Sequence, residues 1–326
     1  MIRPILTLAL ALATALSNFQ SVAPPVLPAG TAASVLLADR TTGSIHHLNL
    51  GDNTDTIVAE GLGVMSGTWL DGHQLYVFNG ANQVFRLAFD RDWNTVSSDL
   101  LGNLAEAGYL QGNAIYVEGK NLYTAGLCGI ARFRLTPEGL VLKGPVASVK
   151  VAGFAVDSTG SLFAFDTGNG FLYQVSLTAG KRDWSTLQKY QVQVDRAAAI
   201  AIDENDDIVL LVSASSLVFP QPVCMPDLCG GVSPASVAQI PEGISGIVVV
   251  KRTTRDQQIL ASGPPLNFDP PTIGVGGIDV FQGSGVAICR TETRGSSLVS
   301  FSMNESPTVL WTTNDQLVSV IICRPE

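Results

Sequence analysis

The run Leu162-Phe163-Ala164-Phe165-Asp166-Thr167-Gly168-Asn169-Gly170-Phe171-Leu172-Tyr173-Gln174-Val175-Ser176-Leu177 decides the fold. Two apolar, aromatic-rich stretches flank Asp-Thr-Gly-Asn-Gly, a cluster of turn formers, which is the signature of two antiparallel strands joined by a tight turn. The first stretch recurs as LLAD, LYVFN, LYTAG, LFAFD, IVLLV and VAICR, starting at Leu36, Leu75, Leu122, Leu162, Ile208 and Val286. The intervals are 39, 47, 40, 46 and 78 residues. All but the last match the roughly 40–50 residues of one four-stranded propeller blade.

Each copy has the same neighbours. Before it stands an apolar run ending in a turn, as in GTWLDGHQ from Gly67, AIYVEGKN from Ala114, GFAVDSTG from Gly153, AIAIDEND from Ala199 and GIDVFQGS from Gly277. After it come a second alternating stretch and then a more polar segment, such as 54–59, 187–194 or 308–313. Four such strands make a radial blade with its apolar strands toward the axis and its polar strand at the rim. The expected fold is therefore all-β, a six-bladed propeller over residues 34–326. The long last interval is explained by an insertion at about 213–243, rich in Pro, Ser, Gly and Cys and without strand alternation. The first copy lacks its leading strand, and residues 317–322, LVSVII, form an orphan strand that would complete that blade and close the ring.

Composition narrows the function. The 326 residues carry a net charge of −9 with a pI near 4.8, and such a surface repels phosphate backbones, so nucleic acid is not an expected partner. Arg3 followed by the apolar span 5–16 reads as a signal peptide over 1–17, with an extension at 18–33. No later stretch has the character of a membrane span, and the expected location is secreted or otherwise outside the cytoplasm. Five cysteines are present. In an oxidising compartment Cys224 and Cys229 could staple the insertion, and Cys289 with Cys323 would lock the closing strand to the last blade.

Strands alternate in direction, so the second-to-third connections and the connections between blades emerge on one face, here termed the loop face. The insertion overhangs it. The segments leading into each first strand reach the same face and carry Glu60, Glu106, Lys150, Asp195, Arg196, Asp269 and Asp315. Arg290, with Glu292 and Arg294, lies in the last second-to-third connection. Asp39, Asn79 and Asp166 each end a second strand, where a short polar side chain caps its own turn.

The Asp166–Asn169 turn resembles the NHL repeat, in which an Asp and an Asn bracket the turn between two blade strands. The whole array is similar to the six-bladed superfamily that includes NHL proteins, the gluconolactonase (senescence marker protein) family, diisopropylfluorophosphatase, paraoxonase and strictosidine synthase. In the gluconolactonase and diisopropylfluorophosphatase families a calcium ion sits at the channel mouth, held by carboxylates and Asn side chains from several blades. By that resemblance Glu60 and Asp195 would be calcium ligands, and Glu60, Lys150 and Asp195 the candidate acid–base residues. This chain departs from the pattern: no Asn stands at the other two positions, and Lys150 occupies the fourth-blade position. Two functions stay open. One is a module binding a small molecule or peptide at the channel mouth, with Glu106, Arg196, Asp269 and Arg290 as contact residues. The other is a calcium-dependent lactonase or esterase using the same mouth.

Overall fold

A computed structural model of the chain describes residues 34–105, 112–126, 129–147, 151–166, 171–176, 188–191, 197–212, 245–254, 256–262, 266, 277–290, 295–302 and 305–324. Residues 1–17, read as a signal peptide, the extension at 18–33 and the insertion expected at 213–243 lie outside them. So do Cys224 and Cys229.

Alternating apolar residues and tight turns give four strands at a time. The first three are β1 (Ser34–Asp39), β2 (Ile45–Asn49) and β3 (Thr54–Ala59). Next come β4 (Met65–Asp71), β5 (Gln74–Asn79), β6 (Gln83–Phe89) and β7 (Thr95–Asn103). The third group is β8 (Gly112–Glu118), β9 (Asn121–Gly126), β10 (Gly129–Thr136) and β11 (Gly139–Ala147). The fourth is β12 (Val151–Val156), β13 (Ser161–Asp166), β14 (Phe171–Ser176) and β15 (Gln188–Gln191). Then follow β16 (Ala197–Ile202), β17 (Ile208–Val212), β18 (Gly246–Val250) and β19 (Gln257–Ser262). The last are β20 (Ile278–Phe281), β21 (Ser284–Arg290), β22 (Ser296–Ser302), β23 (Thr308–Thr313) and β24 (Leu317–Ile322). They form six antiparallel four-stranded sheets, and the first sheet has the order β24-β1-β2-β3. The ring is a six-bladed β-propeller closed by the strand that the sequence left orphaned.

The turns between first and second strands define the opposite, turn face. Gln282 and Gly283 both have positive φ, 52° and 73°, which is the geometry of a type I′ hairpin turn matched to strand twist. In the fourth and fifth blades an aspartate does the same work with its side chain. Asp157 Oδ1 accepts hydrogen bonds from the amides of Thr159 (2.9 Å) and Ser161 (2.8 Å), and Asp203 Oδ1 from those of Asn205 (2.9 Å) and Asp207 (2.8 Å). On the loop face Asp39 accepts from the amide of Thr41 at 2.8 Å, and Asn79 from those of Ala81 and Gln83 at 3.0 and 2.9 Å. Those two residues cap their own turns, as their positions in the sequence predict.

The core lies between blades rather than within them. Leu317, Val320 and Ile322 of β24 pack with Val286, Ile288 and Leu298 of the last blade, while Val318 and Cys323 pack with Leu36, Met65, Leu75 and Val77 on the other side. The closing strand therefore supplies apolar side chains to two interfaces at once. Val212 of β17 stands opposite Gly246 of β18, so these two strand ends lie side by side on the loop face.

The pairing of Cys289 with Cys323 is corrected here: both are free, buried thiols. Cys289 packs with Val299 and Phe301 between the fifth and sixth blades, whereas Cys323 packs between the first and second. Burial pushes both thiols up to about 12, so neither ionises readily. Alkylation at pH 8 without reductant, mapped by mass spectrometry, is expected to spare both in the native protein and modify both in concentrated urea. Protection that persists in urea would instead reveal a disulfide.

Candidate functional site

The six first strands converge on the axis, and small residues let them do so. Ser66, Gly67, Ala114, Gly153, Ala199, Gly277 and Ser319 all lie on these strands or beside them, and all line a central cavity of about 700 Å³. Gly277 shows how close the backbones come, because a Cβ built there would lie 2.5 Å from Val320 N and 2.9 Å from Ser319 Cα. Gly153 is different, since a Cβ there would meet only Ile200 Cγ2, at 3.7 Å. Larger apolar groups complete the wall: Trp69, Phe154, Ile200 and Phe281. Trp69 packs edge-on against Tyr116 with ring centroids 4.7 Å apart, and its indole N–H is buried with no hydrogen-bond partner.

The cavity runs to the turn face, where the wall becomes polar. Asp203, Glu204, Asp206, Asp279, Arg324, His73 and Trp93 line that end. The Asp279 carboxylate accepts hydrogen bonds from the amides of Val280 (2.9 Å) and Ile322 (2.8 Å), tying the last blade's inner strand to the closing strand. Burial pushes its pKa above the usual carboxylate range, against the opposing pull of Arg324. Asp203 is also raised, by burial first and by the neighbouring Asp207 and Glu204. Asp206 goes the other way. Burial acts to raise it, but hydrogen bonds from Ser158 and the charge of Arg252 hold it below the usual range.

Behind this mouth an ion-pair network joins the fourth and fifth blades. Arg252 bridges Asp157 (2.8 Å) and Asp206 (3.0 Å), and Lys251 meets Asp207 at 2.5 Å. The Asp157 side chain is fully buried, so Arg252 supplies the charge that makes that burial tolerable. On the opposite side the His73 ring packs against Trp93, tilted by 31° with ring centroids 5.0 Å apart. Trp93 itself sits at φ 64° in the turn between β6 and β7.

Of the calcium-ligand, acid–base and contact residues read from the sequence, Glu60 alone has a described side chain. It is exposed, follows β3 directly, and does not belong to the cavity wall. Glu106, Lys150, Asp195, Arg196, Asp269 and Asn169 lie outside the described residues, as do the side chains of Asp166 and Arg290. The calcium set is therefore represented here only by Glu60. Among the described residues one group of metal-ligating type has its donor atoms within 4.8 Å of one another: Asp39, His46 and Asp315. Each is already engaged. The His46 ring nitrogens contact Ser44 Oγ and Asp55, both at 3.0 Å, and Asp315 accepts from Thr313 Oγ1 at 2.6 Å. Beside this group Arg40 N donates to Gln316 O at 2.8 Å, a backbone bond that joins the first blade to the lead-in to the closing strand.

No protein-family model matches the chain, and no curated protein matches its sequence. Solved structures do match its shape. A chain of the nidogen/laminin complex superimposes with a TM-score of 0.59 at 10% identity, covering 88% of this chain and 97% of that one. A protein of unknown function from Desulfotomaculum acetoxidans gives 0.54 at 11% identity, covering 91% and 88%. Another, from Bacteroides thetaiotaomicron, gives 0.54 at 11% identity, covering 83% and 67%. Likeness at such identities establishes the propeller and leaves function to the site.

The loop-face residues expected from the sequence lie almost wholly outside the described residues, and the turn-face mouth was not among the expectations. A signal was there. The turns DSTG at Asp157 and DENDD at Asp203 place acidic residues at the same end of neighbouring first strands.

Proposed function

We propose that this protein is an exported binding protein that takes a small organic molecule, or the side chain of a peptide, end-on into its central channel. The observation that carries this is the cavity itself. Its volume of about 700 Å³ falls within the roughly 300–1,000 Å³ of small-molecule sites, and its wall combines apolar and aromatic side chains with a few polar groups at one end. The apolar span at 5–16 behind Arg3 supports export.

The test uses N-phenyl-1-naphthylamine, a neutral dye that brightens in apolar surroundings. Binding of one dye per chain is expected. Gly153→Leu is expected to weaken it at least about tenfold by filling the channel, because the new side chain has room at its base beside Ile200. The melting midpoint of that variant should change little. Unaltered dye binding in Gly153→Leu would place the bound dye elsewhere and overturn the proposal.

A further inference from the structure

The turn-face end of the cavity is one-sidedly acidic. Asp203, Glu204, Asp206 and Asp279 line it, and among the described residues Arg324 is the only Lys or Arg that does. Asp206 is already engaged by Arg252 from behind the wall. Glu204 is exposed at the rim.

Arg324 shows what such a mouth accepts. Its guanidinium lies 3.4 Å from Asp279 Oδ1, 3.4 Å from the carbonyl of Val280, and 5.7 Å from the centroid of the Phe281 ring. A carboxylate, a carbonyl and an aromatic face together form a guanidinium site. Yet the hold is loose. A charge-assisted N–H···O bond is usually about 2.7–2.9 Å, and the Arg324 side chain remains 56% exposed. The chain's own cation thus occupies the position weakly, and an incoming cation with an apolar body could gain both the acidic rim and the channel behind it.

We propose that the turn-face mouth binds the guanidinium group of an arginine-like ligand, which displaces Arg324 from Asp279 and Phe281 while the ligand's body enters the channel. This rests on the channel being a binding site at all. Trp93 and His73 offer further flat faces at the same mouth, and the acidic rim selects against anionic head groups.

Calorimetric titration of the full chain with a matched series tests it: Nα-benzoyl-arginine amide, its neutral citrulline counterpart and its glutamate counterpart. The arginine compound is expected to bind at least about tenfold more tightly than the citrulline one, with the glutamate compound weakest. Glu204→Gln should reduce that preference, and added salt should reduce it too. Arg324→Gln should tighten the arginine compound severalfold, because its internal competitor is gone. A merely structural Arg324 would give no gain. Equal binding of the arginine and citrulline compounds, or weaker arginine binding in Arg324→Gln, would overturn the proposal. If all three compounds fail while the neutral dye still binds, the guanidinium assignment falls and the channel reading stands; if the dye fails as well, both fall. A pentapeptide with a central arginine, compared with the amide, distinguishes a peptide ligand from a free small molecule by which binds more tightly.

Discussion

A chain stopped after Asp315 is expected to lose its cooperative thermal transition or to melt far below the full-length protein. The truncation removes β24 and with it Leu317, Val318, Val320 and Ile322, all at most 6% exposed. At about 1.5–3 kcal/mol for each fully buried apolar side chain, the loss is on the order of 6–12 kcal/mol. A domain's whole stability is about 5–15 kcal/mol, so one strand carries a share comparable to the total. The reason is geometric. β24 packs against the last blade on one side and the first and second on the other, and it bonds to both neighbours through Asp279 to the Ile322 amide (2.8 Å) and Thr68 to Ser319 (2.5 Å). Circular dichroism melting of the truncated chain checks this. A midpoint within a few degrees of the full chain would mean that the ring is held closed by something else. Recovery of the transition on adding a synthetic 316–324 peptide would show that the strand acts by docking.

Gly277→Ala is expected to be the most damaging single-methyl change on the inner strands. The added Cβ would meet Val320 N at 2.5 Å, Ser319 Cα at 2.9 Å and Ser319 C at 3.0 Å. All three are backbone atoms of the closing strand, so no side chain can rotate away and β24 itself must shift. Overpacking typically costs about 1–3 kcal/mol, and here the shift would also strain the Asp279–Ile322 bond, so a loss near the top of that range is expected. Gly153→Ala provides the contrast. Its Cβ meets only Ile200 Cγ2, at 3.7 Å, and it should be close to neutral. Chemical denaturation of both variants decides the matter. Equal midpoints would show that the inner strands are not as closely wedged as their backbones indicate.

Much of the architecture was legible because its signals are local. Alternation at period two marks a strand from its own residues, and Asp39 and Asn79 cap turns a few residues away, so both could be read without knowing what lies across the ring. The orphan strand LVSVII was identified by elimination, since only the first copy lacked a leading strand and only this stretch lacked a blade. Two features resisted. Cys289 and Cys323 looked like a pair that would lock the closing strand to the last blade, but they face different inter-blade interfaces. Which way a residue faces across a blade depends on register, which a small shift reverses. The approach of Asp39, His46 and Asp315, residues from opposite ends of the strand array, could not be anticipated from spacing.

The candidate site was less legible than the fold. Attention went to the loop face because the insertion and the resemblance to calcium-binding propellers both pointed there. Those loop-face residues lie almost wholly outside the described ones. Among the described residues the charged groups of the cavity wall, Asp203, Glu204 and Asp206 from the fifth blade, Asp279 from the sixth and Arg324 just past the closing strand, stand at the turn-face end with His73 from the second blade.

The sequence by itself determined the repeating unit, the number of blades and the strand that closes them, because each follows from patterns a few residues long repeated along the chain. Only the tertiary structure decided where a ligand could sit. A propeller's channel is built one residue or two at a time from six blades, and those residues become neighbours only when β24 completes the ring.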